Sequence, residues 1–176
     1  MLMAIIMEME AIERLAAVEV RKGYTDITEA IRDLSGLVGW IDRANTRGLR
    51  RSSDKVIDAA LKKIKDAKKK DTQLIKMTRT MERNYAKLGK PHPEMPEGYE
   101  RSLMKCLEHA KAAINKGKKA VYKRGRGSNL DNYGPRPSHY IGVARDQLRN
   151  ALILARFIHK QWYLSNQLLE QSKQTS

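Results

Sequence analysis

The stretch of sequence that decides the fold runs from Ser53 to Leu88 and reads SDKVIDAALKKIKDAKKKDTQLIKMTRTMERNYAKL. Neither proline nor glycine interrupts it, and steps of three and four residues trace a mostly apolar stripe. The stripe consists of Ile57, Ala60, Ile64, Ala67, Asp71, Leu74, Thr78, Met81, Tyr85 and Leu88. We therefore predict one long helix over 53–89 that packs on this stripe.

A second stripe on the same helix is basic. It is shifted by two residues, which places it about 200° around the helix axis. This basic stripe consists of Lys62, Lys65, Lys69, Thr72, Lys76, Arg79, Arg83 and Lys90. A helix of this length extends for about 50 Å, so the stripe is long enough to follow a polyanion beyond one turn of a duplex.

Composition sets limits on the class of protein. The chain has 176 residues, 41% of them hydrophobic, which predicts one domain with a substantial core. Lys and Arg number 35 against 20 Asp and Glu, and the resulting charge of +15 indicates nucleic acid, an anionic membrane surface or an acidic protein as partner. The single cysteine, Cys106, excludes an internal disulfide and fits a reducing compartment.

Charge is unevenly distributed along the chain. Residues 1–40 carry seven acidic and four basic side chains, whereas residues 41–90 carry six acidic and sixteen basic ones. The acidic part either pairs with the basic part of a neighbouring copy or forms a solvated helix face.

Apolar periodicity predicts an all-α fold, a single helical domain over 1–176 with about five helices. The long central helix and a long C-terminal core helix dominate it. In chain order we predict helix 1 over 1–23, helix 2 over 26–47, the long basic helix over 53–89, a proline-rich strap over 90–98, helix 4 over 99–122, a basic Gly/Pro loop over 123–137 and the core helix over 138–172.

Particular residues define the predicted helix ends. Gly23 ends helix 1, Asp26 with Glu29 begins helix 2 as a capping box, and Ser53 and Ser138 cap the later helices. The core helix has a broad apolar arc, which predicts contact with two or more helices. Its outer positions are Leu154, Phe157, Leu164 and Leu168.

Two further basic groups flank the long helix. The arginine cluster of Arg43, Arg47, Arg50 and Arg51 is predicted near the end of helix 2, where the helix dipole favours cations. Arginine binds phosphate in a bidentate manner, so this cluster is a candidate phosphate site, with helix capping and solvation as the alternative. The second group ends helix 4 and enters the loop, and consists of Lys118, Lys119, Lys123, Arg124 and Arg126.

The loop itself contains Lys123-Arg124-Gly125-Arg126-Gly127-Ser128. Its Arg-Gly-Arg core resembles an AT-hook, although the flanking prolines of that motif are absent. The resemblance implies insertion into the minor groove of A·T-rich DNA. The alternative is a flexible basic loop that contacts phosphates without sequence preference.

No pattern in the sequence indicates an enzyme, a cofactor or a metal site. The four histidines are scattered without an H-x-x-x-H pair, and no phosphate-binding glycine loop is present. Asp54 and Asp58 lie one turn apart, but interleaved lysines favour ion pairing over metal binding. Cys106 lies on an apolar stripe, and the aromatic group of Phe157, Trp162 and Tyr163 is interpreted as core rather than as a base-stacking surface.

The function that these features favour is a basic structural protein that coats or packages nucleic acid through phosphate contacts. Fifteen excess charges match about seven base pairs of phosphates, the scale of stoichiometric coating. In architecture the chain is similar to coat proteins of filamentous viruses that wrap DNA between helical subunits. The single cysteine, which fits a reducing interior, indicates a location in the cytoplasm or within a virion or nucleoprotein particle assembled there. The similarity implies self-association into an oligomer or filament.

Double-stranded DNA is the favoured partner, RNA is the alternative, and no membrane partner or signal peptide is expected. A different class of function is a protein-interaction or scaffold module, such as a phage component or inhibitor, that docks on an acidic partner. A third is a sequence-specific DNA-binding regulator or a packaging-motor subunit.

Overall fold

The computed structural model describes residues 1–91, 93–125 and 134–174, and within them every regular element is helical. In chain order these are α1 (Leu2–Val38), a short 3₁₀ turn (Ile41–Arg43), α2 (Arg47–Lys87), α3 (Glu97–Gly125) and α4 (Pro137–Gln174). The all-α prediction is confirmed. The described residues form four long helices, however, and not about five.

The helices form an up-down-up-down bundle. Each helix packs against the next one in the chain, and α4 closes the ring against α1. The predicted apolar stripe of α2 is buried from Ile57 to Tyr85, as its periodicity requires. It meets side chains of the other three helices, and the largest fully buried ones are Met9, Ile27, Leu34, Leu37, Leu107, Ile114 and Ile141.

The predicted break after Gly23 is wrong, because α1 continues through it to Val38. A Cβ at Gly23 would lie 4.0 Å from the Cδ of Lys70, an ordinary van der Waals distance, so this glycine is on the face of α1 that packs against α2. Lys70 pairs there with Asp26, the residue predicted to cap a second helix. Packing against α2 therefore outweighs the helix-breaking tendency of a single glycine.

The predicted start of the long helix is also wrong. Thr46 is the N-cap of α2, and its Oγ1 accepts the backbone N–H of Leu49 at 3.3 Å. Ser53 lies inside the helix, where its buried hydroxyl donates to the Arg50 carbonyl at 2.9 Å. The other end agrees with the prediction, since Gly89 follows the helix with a φ of 69°, a conformation that favours glycine.

Helix α4 begins at Pro137, so Ser138 is not its N-cap. Instead the carboxylate of Asp42 accepts both the backbone N–H of Ser138, at 2.9 Å, and its hydroxyl, at 2.6 Å. The 3₁₀ turn between α1 and α2 thereby holds the start of α4. At the same end of the bundle Gly117 allows α3 to approach α4 closely, because a Cβ there would lie 2.9 Å from Cδ1 of Ile141.

The broad apolar arc predicted for α4 is only partly buried. Helix α4 does contact two helices, α1 and α3, through a narrower stripe that includes Ile141, Leu148 and Ile158. Three of the four outer positions are exposed, with Phe157 at 44%, Leu164 at 38% and Leu168 at 41%. A four-helix ring leaves no further helix to cover them.

Carboxyl groups are buried in the core of this bundle. Glu100 accepts hydrogen bonds from the hydroxyl of Thr78 at 2.8 Å and from the indole N–H of Trp162 at 3.4 Å. Both carboxyl oxygens of Asp71 lack a hydrogen-bond partner among the described residues. Burial, with a smaller contribution from the charge of Glu100, raises the pKa of Asp71 to about 8. Burial likewise raises the pKa of Glu100 to about 7.

Candidate nucleic-acid interface

The basic stripe of α2 faces solvent. Every member from Lys62 to Arg83 is exposed, and Lys90 beyond the helix is half-buried. The stripe lies opposite the buried apolar stripe because the two are separated by more than half a turn of the helix. From Lys62 to Arg83 it extends for about 30 Å at 1.5 Å per residue.

A groove between α2 and α3 contains half of this stripe. Its volume is about 670 Å³. Lys62, Lys65 and Lys69 of the basic stripe line it from α2, and Lys68 adds a fourth lysine. The opposite wall is formed by Lys111 and Asn115 of α3. We call this the basic groove.

Sequence reasoning missed Lys111 and Asn115 as candidate residues. Both lie on the face of α3 that also carries Lys118 and Tyr122, at steps of three and four residues. That spacing was visible in the sequence. The pairing of this face with the basic stripe depends on which helices are neighbours, and this is a tertiary property.

Several cations of the basic stripe have no acidic partner among the described residues. In the described part of the chain, no carboxylate lies within 4.0 Å of the amino groups of Lys62, Lys65, Lys69 or Lys76. Arg79 is different, since its Nε lies 2.8 Å from Oε1 of Glu97. Asp58 also lines the groove, but the cation it contacts is Lys118, at 3.8 Å. Lys62, Lys65 and Lys69 therefore concentrate positive charge without a carboxylate partner among the described residues.

The lysines on the α1 side of α2 are paired instead. Lys63 contacts Asp33 at 2.5 Å and Glu29 at 4.0 Å, and Lys70 pairs with Asp26. Three of the seven acidic residues of 1–40 therefore pair with the basic segment of the same chain, and a fourth, Glu10, pairs with Lys173 of α4. Asp26, Glu29 and Asp33 of α1 thus form ion pairs with α2.

The arginine cluster lies at the beginning of α2 and not at the end of a preceding helix. Arg47 is the first residue of α2, Arg50 and Arg51 follow within its first turns, and Arg43 lies in the 3₁₀ turn. At the beginning of a helix the dipole disfavours cations and favours anions. The expectation that the helix dipole stabilises this cluster is therefore wrong. Arg43 donates to the Gly39 carbonyl at 3.3 Å, whereas Arg47 and Arg51 are exposed.

The end of α3 lies beside the beginning of α2 because the two helices are antiparallel. The hydroxyl of Tyr122 donates to Oδ2 of Asp54 at 2.7 Å, and this hydrogen bond raises the pKa of Tyr122. Lys118 lies 3.8 Å from Asp58. The exposed Lys119 and Lys123 are consequently at the same end of the bundle as the arginine cluster. We call this end the basic pole. Along α2, Asp54 and Asp58 lie between it and the lysines of the basic groove.

The remaining loop residues lie outside the described part. This applies to Arg126 and to the side chain of Arg124, so the resemblance to an AT-hook stays a prediction.

The other candidate side chains make structural contacts. Of the aromatic group interpreted as core, Trp162 is buried, but the interpretation is wrong for Phe157 and Tyr163, which are 44% and 56% exposed. Phe157 stacks on Tyr99 with ring centroids 5.3 Å apart. Asp54 and Asp58 are used by Tyr122 and Lys118, and no cluster of three or more potential metal ligands occurs in the described residues. Burial raises the pKa of the half-buried Cys106, which favours the thiol over the thiolate.

Comparison with known proteins finds no family, no curated protein and no solved structure that matches this chain. Among the residues described, none of the helices combines the length and apolar character that a membrane span requires.

Proposed function

We propose that this protein binds nucleic acid along the basic groove and the basic pole, and that many copies coat or package one molecule. The observation that carries the proposal is the row of exposed lysines at Lys62, Lys65, Lys69 and Lys76 without acidic partners among the described residues. Closely spaced like charges repel, and a polyanion relieves this repulsion while releasing its own counterions.

The side-chain inventory supports binding to the phosphate backbone. Lysine binds phosphate as a point charge, and the groove offers five lysines and one asparagine. The arginine cluster adds bidentate phosphate ligands at the positive end of the α2 dipole. Because such contacts carry no base information, we propose a structural role with little sequence preference.

Double-stranded DNA is the favoured partner, and RNA is the alternative. The experiment is a titration of nuclease-treated protein into a labelled random-sequence duplex of about 60 base pairs, repeated at several salt concentrations. We expect several copies per duplex and an affinity that falls steeply with salt. Binding of a single copy, or binding insensitive to salt, would contradict a coating role.

A scaffold or inhibitor that docks on an acidic protein is the second candidate. It is supported by the exposed apolar side chains of α4, which are Ile153, Phe157, Leu164 and Leu168. Under this alternative the protein purifies with a protein-like ultraviolet absorbance ratio and binds the random duplex weakly. Copurifying nucleic acid would favour the coating function instead.

A further inference from the structure

A groove between α1 and α4 is lined by charged residues of both signs, with carboxyl groups in the majority. Its volume is about 330 Å³, which falls in the range of small-molecule sites. The residues that matter for its chemistry are Glu10, Glu13, Trp162, Tyr163, Asn166 and Glu170. Three carboxyl groups on one groove are notable in a chain with a net charge of +15.

Glu13 is the most unusual of these residues. Only 7% of it is exposed, and its Oε1 accepts a hydrogen bond from the Ser165 hydroxyl at 2.9 Å. Its Oε2 has no hydrogen-bond partner in the described residues, although a buried polar atom without one is costly. Burial raises the pKa of Glu13 to about 7. A donor entering the groove would satisfy this oxygen.

The surroundings favour a donor that is positively charged. Glu10 and Glu170 add negative charge, and Trp162 and Tyr163 provide aromatic rings of the kind that bind ammonium groups. The groove also contains Arg14 and His159, and Lys173 already pairs with Glu10 and Glu170. The charge of Lys173 also acts on Glu13, but less than that of either Glu170 or Glu10. No ion pair to Glu13 occurs among the described residues.

We propose that the α1–α4 groove binds an aliphatic amine whose ammonium group pairs with Glu13 beside Trp162 and Tyr163. A linear diamine is a suitable probe, because it carries a primary ammonium group on a narrow aliphatic chain that can lie against the aromatic rings. The site is independent of the basic groove and requires no nucleic acid.

The test is a titration with cadaverine, a linear diamine, in protein free of nucleic acid and at constant ionic strength. The chain contains two tryptophans, so a Trp40→Phe background leaves Trp162 as the sole indole reporter. We expect a saturable change in tryptophan fluorescence, confirmed by calorimetry. In the same background Glu13→Gln should weaken binding at least tenfold, whereas Glu8→Gln, at an exposed α1 position, should leave it unchanged.

Dependence on pH provides a second measurement that does not rely on a variant. The ammonium group pairs with the ionised form of Glu13, so affinity should rise about tenfold from about pH 6 to about pH 8. The titratable and charged groups around Glu13 are Glu10, Arg14, Tyr85, His159, Glu170 and Lys173. A His159→Gln variant should retain the pH dependence, which assigns it to Glu13.

Absence of saturation, or equal affinity in the wild type and Glu13→Gln, would overturn the proposal. The Glu13→Gln variant should still bind a random duplex as the wild type does. Failure of the amine site is thereby distinguishable from failure of the proposed nucleic-acid function.

Discussion

Helix α2 forms one interface with α1 and another with α3, and the two use the same lysine-rich segment differently. On the α1 side, Lys63 and Lys70 pair with carboxylates. On the α3 side, Lys62, Lys65 and Lys69 face another lysine, Lys111. Lysines one residue apart thus serve in one case to join helices and in the other to concentrate charge at the surface.

This difference shows how to separate structural from functional charge in a basic protein. A lysine whose charge is balanced within the fold contributes to stability and little to binding. A lysine held near other cations raises the local potential and provides a site for an anion.

The largest effect is expected from neutralising the unpaired cations. Changing Lys62, Lys65, Lys69 and Lys76 to Gln removes up to four phosphate contacts. At about 0.1 M salt this should weaken duplex binding about a thousandfold, and the salt slope should decrease by about three to four. Fluorescence anisotropy at several salt concentrations measures both quantities.

A matched control removes the same total charge elsewhere. Lys22, Lys105, Lys116 and Lys160 are exposed and do not line the basic groove. Their replacement by Gln should reduce affinity far less. Equal losses in the two quadruple variants would show that net charge, and not the groove, governs binding.

The buried face of α2 should make stability depend on pH. Asp71 loses its proton near its usual pKa of about 4 in the unfolded chain but near about 8 in the folded one. The folded state therefore binds more protons between these values, and the free energy of unfolding falls as pH rises, by up to about 1.4 kcal/mol per pH unit from this group. Glu13 and Glu100, each with a pKa of about 7, act in the same direction.

Urea unfolding followed by circular dichroism at about pH 5, 7 and 9 measures this dependence. Asp71→Asn should make the fall of the unfolding free energy with pH less steep, because the amide does not titrate. Glu13 and Glu100 still contribute to the slope in this variant. Asp146→Asn, at an exposed position, should leave the profile unchanged. A stability that rises with pH in the wild type would contradict the assignment.

A smaller effect is expected from one arginine of the basic pole. Arg51→Gln should weaken duplex binding by about tenfold at low salt if the arginine contacts one phosphate. Arg51→Lys should restore only part of the affinity, since lysine lacks the bidentate geometry. Unchanged duplex affinity in both variants would show that the basic pole is not part of the binding surface.

The smallest effect on binding is expected where charges are already paired. Lys63→Gln with Lys70→Gln should lower the free energy of unfolding by about 1 kcal/mol, and Tm by a few degrees. Duplex affinity should change much less than with two groove lysines. Pairing Lys70→Gln with Asp26→Asn in a double-mutant cycle would isolate the contribution of that ion pair. If the Lys63→Gln, Lys70→Gln variant lost as much duplex affinity as the variant of the unpaired lysines, paired and unpaired lysines would contribute equally to binding.

Much of the fold could be predicted from local pattern. The apolar stripe of α2 and the exposure of its basic stripe follow from helical periodicity, and the structure agrees with both. Helices α3 and α4 begin and end within three residues of their predicted bounds. Helix ends were less predictable, because Gly23, Ser53 and Ser138 each had a plausible local role that long-range packing overrode.

The sequence by itself determined that this chain is helical, basic and amphipathic, because side-chain spacing and composition are local properties. Only the tertiary structure decided which charges are neutralised. It brought the carboxylates of α1 to Lys63 and Lys70, placed Lys111 opposite the basic stripe, and buried Glu13 beside an open groove. Each outcome depends on which helix faces lie next to each other, and neighbouring faces come from residues far apart in the chain.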